Sequence, residues 1–118
     1  MAEPIALVEV PLHRVAHART GDKGDRINVS LFPYLAETFQ HLQAQVDEAR
    51  VLAVYRHKGA VGVRRHVLEN LGGLNFVVDR VLEGGVNGSL NLDGHGKSFS
   101  FLLLGLTVRV PRHVVRGA

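Results

Sequence analysis

Ile27-Asn28-Val29-Ser30-Leu31-Phe32 is followed after Pro33 by Tyr34-Leu35-Ala36-Glu37-Thr38-Phe39-Gln40-His41-Leu42-Gln43-Ala44-Gln45-Val46. In the first stretch Ile27, Val29 and Leu31 alternate with Asn28, Ser30 and Phe32, the period of a half-buried strand. In the second, Leu35, Phe39, Leu42 and Val46 fall at i, i+4, i+7 and i+11, one face of a helix. A strand period gives way at once to a helix period. Strands and helices are therefore interspersed, and the class is α+β.

Towards the N-terminus, Ile5–Val10 and Leu12–Ala18 read as extended and are split by Pro11, which has no N–H for a ladder. The polar, glycine-punctuated run Thr20–Arg26 reads as a loop, so the strands beside it form an N-terminal hairpin with a long tip. Towards the C-terminus, Asp47-Glu48 looks like a fresh helix start, with acids at the positive end of the dipole. Val51, Leu52 and Tyr55 continue an apolar stripe, and the pattern leaves one bent helix or two open over 34–57. Val61, Val63 and Val67 alternate as a strand. Asn70–Asn75 reads as a turn. Phe76, Val77, Val81 and Leu82 predict a helix over 75–83, with Asn75 as N-cap and Gly84-Gly85 as stop. Leu90 and Leu92 suggest a short strand, and Asp93–Gly96 a turn. Phe99–Leu104 fits a helix or a buried strand, and Leu106, Val108 and Val110 form a last strand ended by Pro111. The expected fold is a two-layer sandwich, its sheet covered by helices 34–57 and 75–83.

The chain has 118 residues, the length of one domain, with an expected core over about 12–111. Hydrophobic residues at 46% and charged residues at 21% are globular values. The absence of cysteine excludes disulfides, thiolate zinc sites, iron–sulfur clusters and cysteine nucleophiles. The seven histidines do not fall at metal-ligand spacing, so no metal site is expected. The longest apolar run, Phe101–Leu106, is too short for a bilayer, and Met1–Pro4 does not open a signal peptide. The expectation is a cytoplasmic protein with no membrane contact.

Charge is carried mainly by arginine, 11 Arg against 3 Lys. Guanidinium is a planar, bidentate partner for carboxylate and phosphate. Arg50, Arg56, Lys58, Arg64 and Arg65 occur without an intervening acid, and read as a basic face that is either solvated or turned to an anion. The densest polar group is His17-Ala-Arg19-Thr-Gly21-Asp22-Lys23-Gly24-Asp25-Arg26, followed by Asn28. Its glycines permit a tight turn, its cations suit an anionic group, and its Asp residues suit a base or a hard cation. The spacing is not that of a Walker loop or an EF-hand. Arg19, Asp22, Lys23, Asp25, Asn28 and Asn75 are the candidate ligand-binding residues, expected in one surface cluster with Arg19 buried against Asp22 or Asp25. No catalytic residue is assigned.

Ala16-His-Ala-Arg-Thr-Gly-Asp-Lys-Gly-Asp25 with Asn28 resembles the Ala-x-Ala-Arg-(Ser/Thr)-Gly-Asp-Lys-Gly-(Asp/Asn) signature of AtuA-like proteins, the acyclic terpene utilisation family. Leu71-Gly-Gly-Leu-Asn-Phe76, Gly84-Gly85 and Ser89-Leu-Asn-Leu-Asp93 with Gly96-Lys97 agree in order and spacing. The chain departs from the family where Asn70 replaces a common Pro, and where Ser98-Phe-Ser-Phe101 replaces a run that often holds Gln. The resemblance, over about residues 12–111, is to the C-terminal ferredoxin-fold domain, here standing alone. It implies a ferredoxin-like α+β sandwich. It also implies a small subunit or accessory domain working with a separately encoded large AtuA-like protein in catabolism of branched or terpenoid acids. A coenzyme A thioester would be the substrate, with no other cofactor.

Three further roles compete. One is a self-sufficient hydratase or lyase using Asp22, Lys23 or Asp25. Another is a purely structural domain in a homo- or hetero-oligomer. The third, an RNA-binding module, would need aromatic stacking platforms that the sequence does not display, so no nucleic-acid partner is expected. The residues do not decide whether the chain is itself an enzyme.

Overall fold

A computed structural model describes residues 6–23, 26–80 and 95–116, with backbone alone at 22, 23, 80 and 95–99. Its centre is a four-stranded antiparallel sheet of two hairpins. β2 (Ala16–Lys23) pairs with β3 (Arg26–Pro33), and β4 (Ala60–Leu68) with β5 (Gly73–Arg80). β3 and β5 join in the middle, so the order is β2-β3-β5-β4. Between the hairpins run α1 (Phe39–Gln45) and α2 (Glu48–Tyr55), and after the second comes α3 (His95–Leu104). A second, two-stranded sheet pairs β1 (Leu7–Pro11) with β6 (Thr107–Pro111). This is the expected ferredoxin-like α+β sandwich with an N-terminal hairpin.

The sheet buries one face. Ile27, Val29, Leu31, Leu74, Phe76 and Val78 are each 4% exposed or less. They share the core with Leu42, Val46, Val51, Tyr55 and Leu103 of the helical layer. The predicted stripe is real from Phe39 onward, but Leu35 precedes the helix and is 42% exposed. The open choice over 34–57 resolves as two helices. Asp47 caps α2, its Oδ1 accepting from the Arg50 N–H at 2.9 Å.

Four expectations are corrected. The predicted helix 75–83 is strand β5 as far as Arg80, because Leu74, Phe76 and Val78 alternate with Asn75, Val77 and Asp79 and the β-branched pair Val77-Val78 suits a pleat. Asn75 is therefore no N-cap, and α3 takes the place of the predicted second helix. The long tip is strand as well: β2 runs to Lys23 and β3 starts at Arg26. Leu12–Arg14 is a 3-10 turn rather than strand, with Leu12 fully buried. Phe99–Leu104 resolves as helix. The readings at Gly84-Gly85, at Leu90 and Leu92, and at Asp93-Gly94 lie outside the described residues, while His95-Gly96 of the expected turn Asp93–Gly96 open α3 instead.

Between α1 and α2 the chain leaves helical geometry at Val46 (φ −98°, ψ 85°), which frees carbonyls at the end of α1. Two arginines take them. Arg65 of β4 donates from Nη1 to the Gln43 and Val46 oxygens at 2.7 and 2.9 Å. Arg50 of α2 donates to the Gln45 oxygen at 3.2 Å and, from Nη2, to the Thr107 oxygen of β6 at 2.8 Å. The Gln45 amide adds two bonds to the Arg109 backbone, each 2.7 Å. The basic stretch 50–65 is thus not one face, since Arg50 and Arg65 are structural.

Replacing Arg65 by Met keeps the stem but strands both carbonyls. Bonds of this charge-assisted kind are each worth about 1.5–3 kcal/mol, so unfolding stability should drop by about 2–3 kcal/mol in urea titrations.

Burial pushes the Tyr55 phenol well above the usual tyrosine range, opposed by a backbone hydrogen bond with Leu103. A raised folded pKa means stability that is complete below the unfolded value of about 10 and lost as pH rises beyond it. In a Tyr34→Phe variant, which leaves Tyr55 as the sole tyrosine, phenolate absorbance should therefore appear only with unfolding. The urea midpoint should be lower at pH 11 than at pH 9.

Candidate functional site

Directly paired residues of antiparallel strands lie on the same face of the sheet. The alternates of the buried residues therefore form the second face, away from the core. Reading across the register, one row is Arg19–Ser30–Asn75–His66 and the next is Gly21–Asn28–Val77–Arg64. Strands about 4.8 Å apart make each row about 14 Å wide. Arg19, Arg64 and His66 are exposed, while Asn28, Ser30 and Asn75 are half-buried. Asn75 Nδ2 donates to Ser30 Oγ at 2.8 Å. Gly21 leaves the Asn28 amide open, since a Cβ there would sit 3.5 Å from Asn28 Nδ2.

The structure thus brings Arg19, Asn28 and Asn75 onto one face. Lys23 ends β2 opposite Arg26, and Asp22 pairs with the buried Ile27, so its position belongs to the core-facing set. The side chains of Asp22 and Lys23, and all of Asp25, lie outside the described residues. Arg19 departs from expectation in being exposed on its strand, and among the described residues no ion pair to it is found. The loss of stability expected from a buried, paired arginine does not apply to it.

Electrostatically the face is one-sided. Among the described residues its acid is Asp79, and Arg26 neutralises it at 2.9 Å. The two central rows hold arginine, histidine, amide and hydroxyl groups and no carboxylate.

At one end of the face the sheet carries rings. His17 pairs directly with Phe32, ring centroids 5.8 Å apart, and its other neighbour is Tyr34 at 5.4 Å. The Arg116 guanidinium lies 4.1 Å from the Tyr34 centroid. Gly73 makes room for Phe32: a Cβ on it would fall 2.5 Å from Phe32 Cε1 and 2.9 Å from the Leu31 oxygen.

Sequence reasoning missed Arg64, His66 and the aromatic group as partners of the motif. With 75–83 read as helix, no register could carry β4 across to β2. The signal was present in Leu74, Phe76 and Val78 at period two. The ring group escaped notice for a related reason: His17, Phe32 and Tyr34 are scattered in sequence and meet only in the fold. Two surface grooves, about 680 Å³ along Val67–Leu71 and about 450 Å³ beside Asp47, Glu48 and Arg65, hold none of the motif residues.

A family model described as the AtuA ferredoxin-like domain matches residues 10–109. No curated protein and no solved structure matches the chain.

Gly73→Ala should destabilise the fold by about 1–3 kcal/mol, the range for forcing a methyl into a packed site. In a Phe32→Ala background the penalty should shrink, leaving the contact with the Leu31 carbonyl. A double-mutant cycle by urea unfolding measures both.

Proposed function

The chain belongs to the AtuA ferredoxin-like domain family, and from that premise we propose that it is an accessory domain or small subunit acting with a large AtuA-like protein. The reaction context is catabolism of branched or terpenoid acids as coenzyme A thioesters. Its contribution is the outer face of the four-stranded sheet, which serves as an anionic-ligand site or as the contact with the large protein. The observation that carries this reading is the placement of Arg19, Asn28 and Asn75 in adjacent rows with Arg64 and His66 and no carboxylate between them. Such a surface attracts anions without a competing internal partner. Lys23, Asp22 and Asp25 stay in the proposal through the signature they share with the family, with Lys23 as the anion contact.

Co-expression with a large AtuA-like protein from the same genome tests the reading. The tagged chain should retain the large protein through purification in fixed stoichiometry. The double variant Arg19→Glu, Arg64→Glu should melt within about 1 °C of the parent yet lose the complex or its acyl-CoA turnover, because exposed charges contribute little to stability. If the chain turns over acyl-CoA thioesters alone, it is a self-sufficient enzyme. If it forms only homo-oligomers and the double variant changes nothing, its role is structural.

A further inference from the structure

We propose that the outer face takes a nucleoside phosphate, with the base against the His17–Phe32 ring pair and the phosphates on Arg19. This rests on the reading of that face as an anionic-ligand site and names the ligand class. Three observations meet here. First, the aromatic end and the cationic rows are contiguous. His17 and Arg19 stand two residues apart on β2 and on the same face, hence about 6.7 Å apart along the strand. A base and its phosphates are separated by a sugar of about that reach. Second, groups suited to a ribose lie between and beside them: the Ser30 hydroxyl, and the amides of Asn28 and Asn75 in the neighbouring positions. Third, the charge is unspent. Asp79 is already paired with Arg26, and among the described residues no salt bridge occupies Arg19 or Arg64.

The ring pair is built to be a platform rather than core. Phe32 and Tyr34 are half-exposed or nearly so, and His17 is exposed. Gly73 beneath Phe32 lets the ring lie close to the sheet, with the exposed His17 ring tilted beside it at 30°. Stacking on such rings is tolerant of which base arrives, whereas guanidinium groups select phosphate. Arg64, one row over on the opposite edge strand, would meet a second phosphate or a longer anionic tail. The same adenosine phosphate chemistry is carried by a free nucleotide and by the 3′-phospho-ADP part of coenzyme A, and the two are separated by experiment.

The isolated chain is titrated by calorimetry with ATP, coenzyme A, adenosine and inorganic pyrophosphate, and by NMR for the Phe32 and Tyr34 ring protons. ATP or coenzyme A should bind, with ring resonances moving upfield; whichever binds at least tenfold tighter identifies the source. Arg19→Gln should weaken binding at least tenfold, with the melting temperature held. His17→Leu should weaken ATP but leave the slight pyrophosphate affinity unchanged. Pyrophosphate binding as well as ATP would overturn the proposal, because the rings would then contribute nothing. So would silence of all four ligands, or an oligoribonucleotide of six residues binding far tighter than ATP, which would make the face a nucleic-acid surface. A chain that still retains the large protein but binds none of these ligands would sink this proposal alone and leave the functional reading standing.

Discussion

The turn between α1 and α2 is held by hydrogen bonds that come from everywhere else. Arg65 reaches it from an edge strand of the large sheet, Arg50 from the next helix, and Arg109 through the Gln45 amide from the small sheet. Buried carbonyls without partners are costly, so a helix that stops inside a fold must have its end supplied. Here the suppliers are also the connectors. Glu48 completes the seam by accepting the Arg65 backbone N–H at 2.8 Å, an unpaired donor of the β4 edge. The direction in which α2 leaves, and thus which face of the sheet it covers, is fixed at this point. Val51 and Tyr55 reach the core because the seam aims them there.

One-sided covering has a chemical consequence. Residues of the covered face must be apolar, and the constraint relaxes on the other. That freedom lets two amides, a hydroxyl, two arginines and a histidine gather at adjacent register positions. On the two central strands Asn28, Ser30 and Asn75 alternate with fully buried core residues, whereas Arg19, Arg64 and His66 stand on edge strands beside partly buried ones. Polar side chains on strands are set by the strand spacing rather than by a loop. The motif is therefore better understood as part of a patterned surface than as a loop that wraps a ligand.

Local pattern made much of this visible in the sequence, and what stayed hidden depended on partners elsewhere in the chain. The Ile27–Leu31 alternation, the α1 stripe, the helix start at Asp47-Glu48 and the Val61–Val67 strand are all local signals within a few residues. Residues 73–80 failed because Phe76, Val77, Val81 and Leu82 imitate helical spacing, while the alternation of Leu74, Phe76 and Val78 competes over the same positions. The tip failed because glycine and charge signal a turn, yet Thr20–Lys23 had a partner strand to complete. The two structural arginines of 50–65 were illegible for a different reason: their acceptors lie in backbone up to 57 residues away. The candidate site was legible as a list of residues but not as a surface, because its composition depends on register across four strands. The role of the motif residues was suggested by family resemblance, and the register adds Arg64, His66 and the rings.

The small sheet joins the two extremities of the described chain. Leu7 pairs with Pro111, and the Arg14 and Arg116 backbones and side chain exchange two bonds of 2.8 Å nearby. Closing a loop of that length costs about 4 kcal/mol in chain entropy, so the pairing is rewarded only once the sheet and helices have shortened the span. It is a late clasp. Because β1 and β6 run antiparallel with their outer ends together, tension applied at those ends loads the ladder one bond at a time, as a zip. A domain tethered on both sides by stretched linkers would shed this strand pair at low force while the four-stranded sheet stayed intact.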